Sequence, residues 1–80
     1  MPQILLVEDN EMNRDLLVRR LARCGFAMDT AAGGVEALVK IATLAYDLVL
    51  LDINMPDLDG ISVLSKVRET KSQTELPIIM

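Results

Sequence analysis

The 80-residue sequence has no histidine and no tryptophan, and only one cysteine, one tyrosine and one phenylalanine; each scarcity removes a class of function. A lone thiol, Cys24, cannot close an internal disulfide, and without histidine or a CxxC pair there is no basis for a zinc or dithiol redox centre. A reducing compartment fits this usage. With Phe26 and Tyr46 the only aromatic side chains, the composition argues against a surface that stacks nucleobases. Cations are scarce as well. Eight basic residues face twelve acidic ones, and a formal net charge of −4 disfavours direct nucleic-acid contact, which depends on Lys and Arg neutralising phosphates. No apolar run approaches the roughly 18 residues of a membrane span, and the N-terminus reaches acidic Glu8 without the positively charged start of a signal peptide. The expectation is a soluble, cytoplasmic chain that engages neither membrane nor nucleic acid.

What the chain does have is aliphatic: 51% of its residues are hydrophobic, mostly Leu, Ile, Val and Ala, which suits the layered core of a single small α/β domain. Leu48 to Leu51 show neither polar alternation nor helical spacing, and a short apolar run bounded by turn signals reads as a strand buried on both faces. Ile4 to Val7 repeat that pattern. Between them, Leu17, Leu21 and Cys24 predict a helix over about Glu11 to Cys24, with Asn10 as N-cap and Gly25 as C′ residue; Phe26 to Thr30 alternate as an edge strand. Gly33-Gly34 open a second helix to about Ala42 with Val35, Leu38, Ile41 and Ala42 as its apolar stripe. A third runs from Gly60 to Arg68 on Ile61, Leu64 and Val67. Leu76 to Met80 read as a final strand, with Pro77 tolerated at its start. The alternation β-α-β-α-β-α-β argues for a parallel sheet with helices on both faces.

Both central strands end in carboxylates, Glu8-Asp9 after the first and Asp52 after the third. In doubly wound sheets, neighbouring strands of this kind meet where strand order reverses, beside the ligand crevice at their carboxyl ends. Three carboxylates there repel: two charges about 5 Å apart at an effective dielectric of about 20 interact by roughly 3 kcal/mol. Such a cluster needs a bound cation or a raised pKa. An oxygen-only, water-accessible donor set selects a hard ion and suits Mg²⁺. Phosphoryl chemistry follows, with Asp52 as the nucleophile because it stands alone on its strand, and with Glu8 and Asp9 holding the metal.

The runs Leu5-Leu6-Val7-Glu8-Asp9-Asn10-Glu11-Met12-Asn13-Arg14, Asp47 through Asp52-Ile53-Asn54-Met55-Pro56-Asp57-Leu58-Asp59-Gly60, and Leu76-Pro77-Ile78-Ile79-Met80 resemble, in order and spacing, the receiver domain of two-component response regulators. The resemblance covers the whole chain. It implies a three-layer, flavodoxin-like (CheY-like) parallel sheet, here of order 2-1-3-4 and truncated after the fourth strand, so that residues 1–80 would be a receiver domain incomplete at its C-terminus. Asp52 would be the phosphoacceptor, charged by a histidine kinase or histidine phosphotransfer protein. Asp9 and Asp52 would ligate Mg²⁺ directly, with the main-chain carbonyl of Asn54 as a third ligand and Glu8 acting largely through water. The Glu8-Asp9-Asn10 run with Asn13-Arg14 resembles receivers of hybrid histidine kinases and phosphorelays. The family's later hydroxyl residue, lysine and last helices have no counterpart after Met80.

Other readings of the same residues are weaker. Asp52 to Gly60 lacks the pattern of a calcium loop, since Pro56 occupies the fifth position and Val63 the closing one. Gly33-Gly34 without a wider glycine pattern is a helix start, not a phosphate cradle. Arg19, Arg20 and Arg23 read as a solvated helix face, Cys24 as a buried small residue, and Met12 and Met55 as packing. An aspartate-nucleophile phosphatase would want a carboxylate two residues after Asp52, where Asn54 stands. A non-signalling fragment that folds or self-associates through its exposed fourth-strand edge is the alternative to a working phosphoacceptor.

Overall fold

The computed structural model describes residues 2–53 and 55–80. Its elements follow the predicted order: β1 (Gln3–Val7), α1 (Glu11–Arg23), β2 (Ala27–Ala31), α2 (Gly34–Thr43), β3 (Leu48–Leu51), α3 (Gly60–Arg68) and β4 (Ile78–Ile79). The strands form one sheet of order β2-β1-β3-β4, and all three pairings are parallel. This is the expected order.

Alternation along the strands divides the chain into layers. Leu5, Val7, Val49 and Leu51 point to one face, where Ala37 and Ile41 of α2 and Val63 and Val67 of α3 pack on them. Leu5, Val7, Val49 and Val63 are fully buried there, each fully buried aliphatic side chain stabilising by about 1.5–3 kcal/mol. Leu6, Leu17 of α1 and Leu50 line a groove on the opposite face. The strand most enclosed on both faces is therefore β1, with Ile4 through Val7 all buried, whereas Leu48 and Leu50 leave β3 half-covered on the α1 side.

Several details differ from expectation for identifiable reasons. Strand β2 is Ala27–Ala31, one residue later than predicted, because its ladder with β1 pairs Gln3 with Ala27 and Val7 with Ala31. Gly25, at φ 94°, and Phe26 belong to the turn. In α2 the buried face is Gly34, Ala37 and Ile41; Val35 and Val39 are more than half exposed and Ala42 is exposed, since the close approach of α3 to Gly34 sets the helix rotation. Helix α1 buries no residue completely, and Cys24, its C-cap, is exposed and not buried as its type led us to expect. Met12 is 82% exposed, while Met55 is buried as expected. Strand β4 is only Ile78–Ile79, shorter than the predicted Leu76–Met80; Pro77 lies just before it and offers its carbonyl to the Val49 amide at 3.0 Å.

The polar edge of the sheet is closed by a network on Asp29 of β2. The Tyr46 hydroxyl donates to Asp29 Oδ2 at 2.5 Å, Lys40 Nζ donates to Asp29 Oδ1 at 3.1 Å and to the Thr30 carbonyl, and Lys40 also pairs with Glu36 at 3.4 Å. Burial works against the charge on Asp29, but these donors outweigh it and hold the carboxyl below its usual range. Burial and the bond to Asp29 together push the Tyr46 phenol upward, and the two carboxylates raise Lys40 despite its own burial. The signs give two windows. The stabilisation from Asp29 is present above the ordinary carboxylate range and lost as pH falls through its lowered pKa, whereas that from Tyr46 and Lys40 is complete below about pH 10 and lost as pH rises further. Tyr46 is the only tyrosine, so an ultraviolet titration reads it alone. Its ionisation should lag well behind about pH 10, and Asp29→Asn should return it toward that value while destabilising the chain by about 1 kcal/mol; an unshifted phenol in the wild-type chain would refute the network.

Candidate functional site

The register of β1 against β3 builds the site. Val7 lies opposite Leu51, so the next residues, Glu8 and Asp52, leave the sheet side by side, and the Asp52 amide still donates to the Val7 carbonyl at 3.1 Å. On its other side β1 pairs with β2, which makes the gap between β1 and β3 the point where strand order reverses. Glu8, Asp9 and Asp52 each bring one carboxylate oxygen to within 4.8 Å of the others, with Glu8 and Asp52 half-buried and Asp9 exposed. Three of the four residues expected to hold a metal are thus brought together. The fourth, Asn54, lies outside the described residues.

Local chemistry holds these groups in place. The Glu8 amide donates to the Ala31 carbonyl at 3.1 Å, its carbonyl accepts from Arg14 Nη1 at 2.9 Å, and its Oε1 accepts the Asn10 amide at 3.2 Å. Asn10 then caps α1 by accepting the Asn13 amide at 3.0 Å, as its sequence position predicts. Burial raises the Glu8 carboxyl above its usual range against the bond from Asn10, and the charges of Asp52 and Asp9 add to that rise. This is the electrostatic signature of a site that favours a proton or a cation. The donors are all oxygen, with no nitrogen or sulfur ligand among the described residues of the cluster, which is the donor chemistry of a hard divalent ion.

The loop after Asp52 is anchored at several points. Gly60 donates its amide to the Ile53 carbonyl at 2.9 Å, and Asp59 caps α3 through the Ser62 amide at 2.8 Å. Asp57, which sequence reasoning passed over, binds the first amides of α2. Its partners are 22 and 23 residues away in the chain, and no local spacing signals such a contact. Beside the carboxylates an open groove runs over Leu6, Leu17 and Leu50 to Ile79 and Met80.

Comparisons with known proteins agree with this geometry. The sequence profile of the response regulator receiver domain matches residues 4–80. The chain is 44% identical over 75 residues to the sensor protein EvgS of Escherichia coli K12, covering 94% of this chain but only 6% of that protein's length. Its fold superposes with a TM-score of 0.94 on response regulator TrrA from Thermotoga maritima, solved in complex with Mg²⁺-BeF, at 41% identity over 100% of this chain and 68% of that one. A chain from the complex of histidine kinase ThkA with TrrA gives a TM-score of 0.88 at 40% identity, covering 98% of this chain and 67% of that one. The receiver domain of a sensor histidine kinase from Pseudomonas aeruginosa, with magnesium coordinated in its active-site cleft, gives 0.89 at 32% identity over 96% and 63% of the two chains.

One glycine is tied directly to the site. A Cβ on Gly60 would stand 2.5 Å from the carbonyl oxygen of Asp52 and 2.9 Å from Cα of Ile53. Alanine at a helix's first turn ordinarily gains up to about 1 kcal/mol over glycine, but forcing a methyl group into backbone costs about 1–3 kcal/mol. Overpacking wins here. Gly60→Ala should lower the urea midpoint and move the Asp52 amide resonance more than those of β2; a midpoint at or above wild type would show that α3 can shift away freely.

Proposed function

Because the chain belongs to the response regulator receiver domain family, we propose that Glu8, Asp9 and Asp52 form a Mg²⁺-dependent phosphoacceptor centre in a two-component or phosphorelay pathway, with Asp52 the residue phosphorylated. The observation that carries the reading is the meeting of three carboxylates at the β1/β3 switch point. Residues 1–80 are read as a receiver unit, and Asn54 completes the proposed metal set from outside the described residues. Mg²⁺, the ion held by TrrA and by the P. aeruginosa receiver, would neutralise negative charge on the carboxylates and on an incoming phosphoryl group.

The chain's own groups supply the rest. An Asp52 carboxylate oxygen attacks phosphorus, forming the new P–O bond as the donor's P–N bond breaks, and the released imidazole takes up a proton. Asp52 can approach a donor because it is half-buried at an open cleft and not enclosed. The donor is a histidine kinase or a histidine phosphotransfer protein, a reading supported by the kinase complex of TrrA. The chain acts stoichiometrically, as an acceptor that promotes its own phosphorylation and hydrolysis; Asn54, an amide, cannot serve as the acid–base group of a turnover phosphatase. No described helix is long and apolar enough to cross a membrane, and with the acidic charge balance this favours a cytoplasmic module without direct nucleic-acid contact.

At the β4 edge Ile79 is 56% and Met80 44% exposed, which is the feature behind the expectation of self-association. Sedimentation over a dilution series should reveal a concentration-dependent dimer, and a monomer that unfolds cooperatively at all concentrations would dismiss it. For the phosphoacceptor itself, intact-mass analysis after incubation with phosphoramidate or acetyl phosphate should show one added phosphoryl group that requires Mg²⁺ and vanishes in Asp52→Asn. A folded chain that gains no phosphoryl group would overturn the proposed function.

A further inference from the structure

Helix α2 begins without a cap of its own, because Gly33 at the N-cap position has no side chain to accept the first-turn amides. The acceptor arrives from a distant part of the chain. Asp57 Oδ1 accepts the Gly34 amide at 3.1 Å, Oδ2 accepts the Val35 amide at 3.1 Å, and Oδ1 also takes the neighbouring Leu58 amide at 2.8 Å. The amides of Val35 and then Gly34 hold the Asp57 carboxyl below its usual range. The approach is also steric. A Cβ on Gly33 would lie 2.8 Å from Asp57 Oδ2, and one on Gly34 would lie 2.6 Å from the Leu58 carbonyl oxygen. Absent side chains on α2 let the loop close onto it.

We infer that Asp57 is a positioning residue for the acidic site: by capping α2 it pins the loop that leaves Asp52, so that the carboxylate cluster and the first turn of α2 move as one unit. This rests on the reading of the cluster as a Mg²⁺-dependent phosphoacceptor centre. The mechanical path is short. Asp52 is held at the sheet by the Val7 carbonyl and lies against Gly60, the Ile53 carbonyl holds the Gly60 amide, and Met55 is buried between these anchors and the Asp57–Leu58 contact with α2. The same loop is therefore fixed to the sheet, to α3 and to α2. If pinning the loop improves cation binding, cation binding must by linkage strengthen the pin. A cap that only stabilised α2 would not sense the site.

The test is amide hydrogen exchange at Gly34 and Val35, with and without Mg²⁺, together with Mg²⁺ titration of the 80-residue chain and its Asp57→Ala and Asp57→Asn variants. Glu69→Ala, an exposed carboxylate on α3's C-cap, controls for lost charge. Mg²⁺ should slow exchange at Gly34 and Val35 in the wild-type chain relative to Leu76. Asp57→Ala should abolish that response and raise the Mg²⁺ Kd about fivefold, at the low end of typical coupling between sites. Asp57→Asn keeps one accepting oxygen but turns an NH2 donor toward one of the two α2 amides, so its Kd should fall between those of wild type and Asp57→Ala. Wild-type binding of Mg²⁺ with no response at Gly34 and Val35, or an unchanged Kd in Asp57→Ala, would overturn the inference alone. A wild-type chain that does not bind Mg²⁺ would overturn the proposed function and the inference with it. Should Asp57→Ala fail to fold, the wild-type exchange response decides by itself.

Discussion

The pairing of β1 with β3 is the constraint on which the rest depends. Its register sets Val7 against Leu51, and because strand side chains alternate, that one setting places Leu5, Val7, Val49 and Leu51 together under α2 and α3. The same setting brings Glu8 level with Asp52. A slip of one residue would turn the apolar set of a strand to the wrong face and separate the carboxylates. Core and site thus share one strand pairing, so a change that shifts one shifts the other.

Placing negative charge at the end of a buried ladder works against stability, as the raised carboxyl of Glu8 records. The surrounding backbone offsets part of it. Asn10 turns its amide to Glu8 as it begins α1, and the N-termini of α1 and α3, each capped by a side chain, rise from the two loops that carry the acidic residues. Such an arrangement suits the proposed phosphoacceptor centre, in which Mg²⁺ would neutralise charge without reorganising the protein.

The sheet's two flanks differ in chemistry. On the β2 side, Asp29, Lys40 and Tyr46 satisfy one another and close the edge with polar groups. On the β4 side, Ile79 and Met80 stay exposed beside a groove that runs to Glu8 and Asp52. The carboxylates proposed as the phosphoacceptor centre therefore lie beside apolar surface, and Asp29 stands on the opposite flank of the sheet.

Much of this was legible because the signals are local. Apolar runs ending in carboxylates marked β1 and β3, Asn10 stands at the start of α1, and Pro56 and Gly60 break the chain where the loop lies. The motif's resemblance to receiver domains then supplied the sheet order, which the pairing of strands bears out. Helix rotation was less legible. Val35 and Ala42 fit an apolar stripe by periodicity, yet Gly34, Ala37 and Ile41 are the buried face, since contact with α3 decides which side turns inward. Cys24 looked like a core residue by type but ends a helix at the surface. Least legible was Asp57, whose meaning lies in amides of Gly34 and Val35 far along the chain. By itself the sequence determined the elements, their order and the carboxylates that gather at the strand ends, because capping, turn formation and strand propensity act over a few residues. The tertiary structure alone decided which side of each helix is buried and which loop grips which helix, because those choices are made by contacts between segments that the chain brings together only on folding.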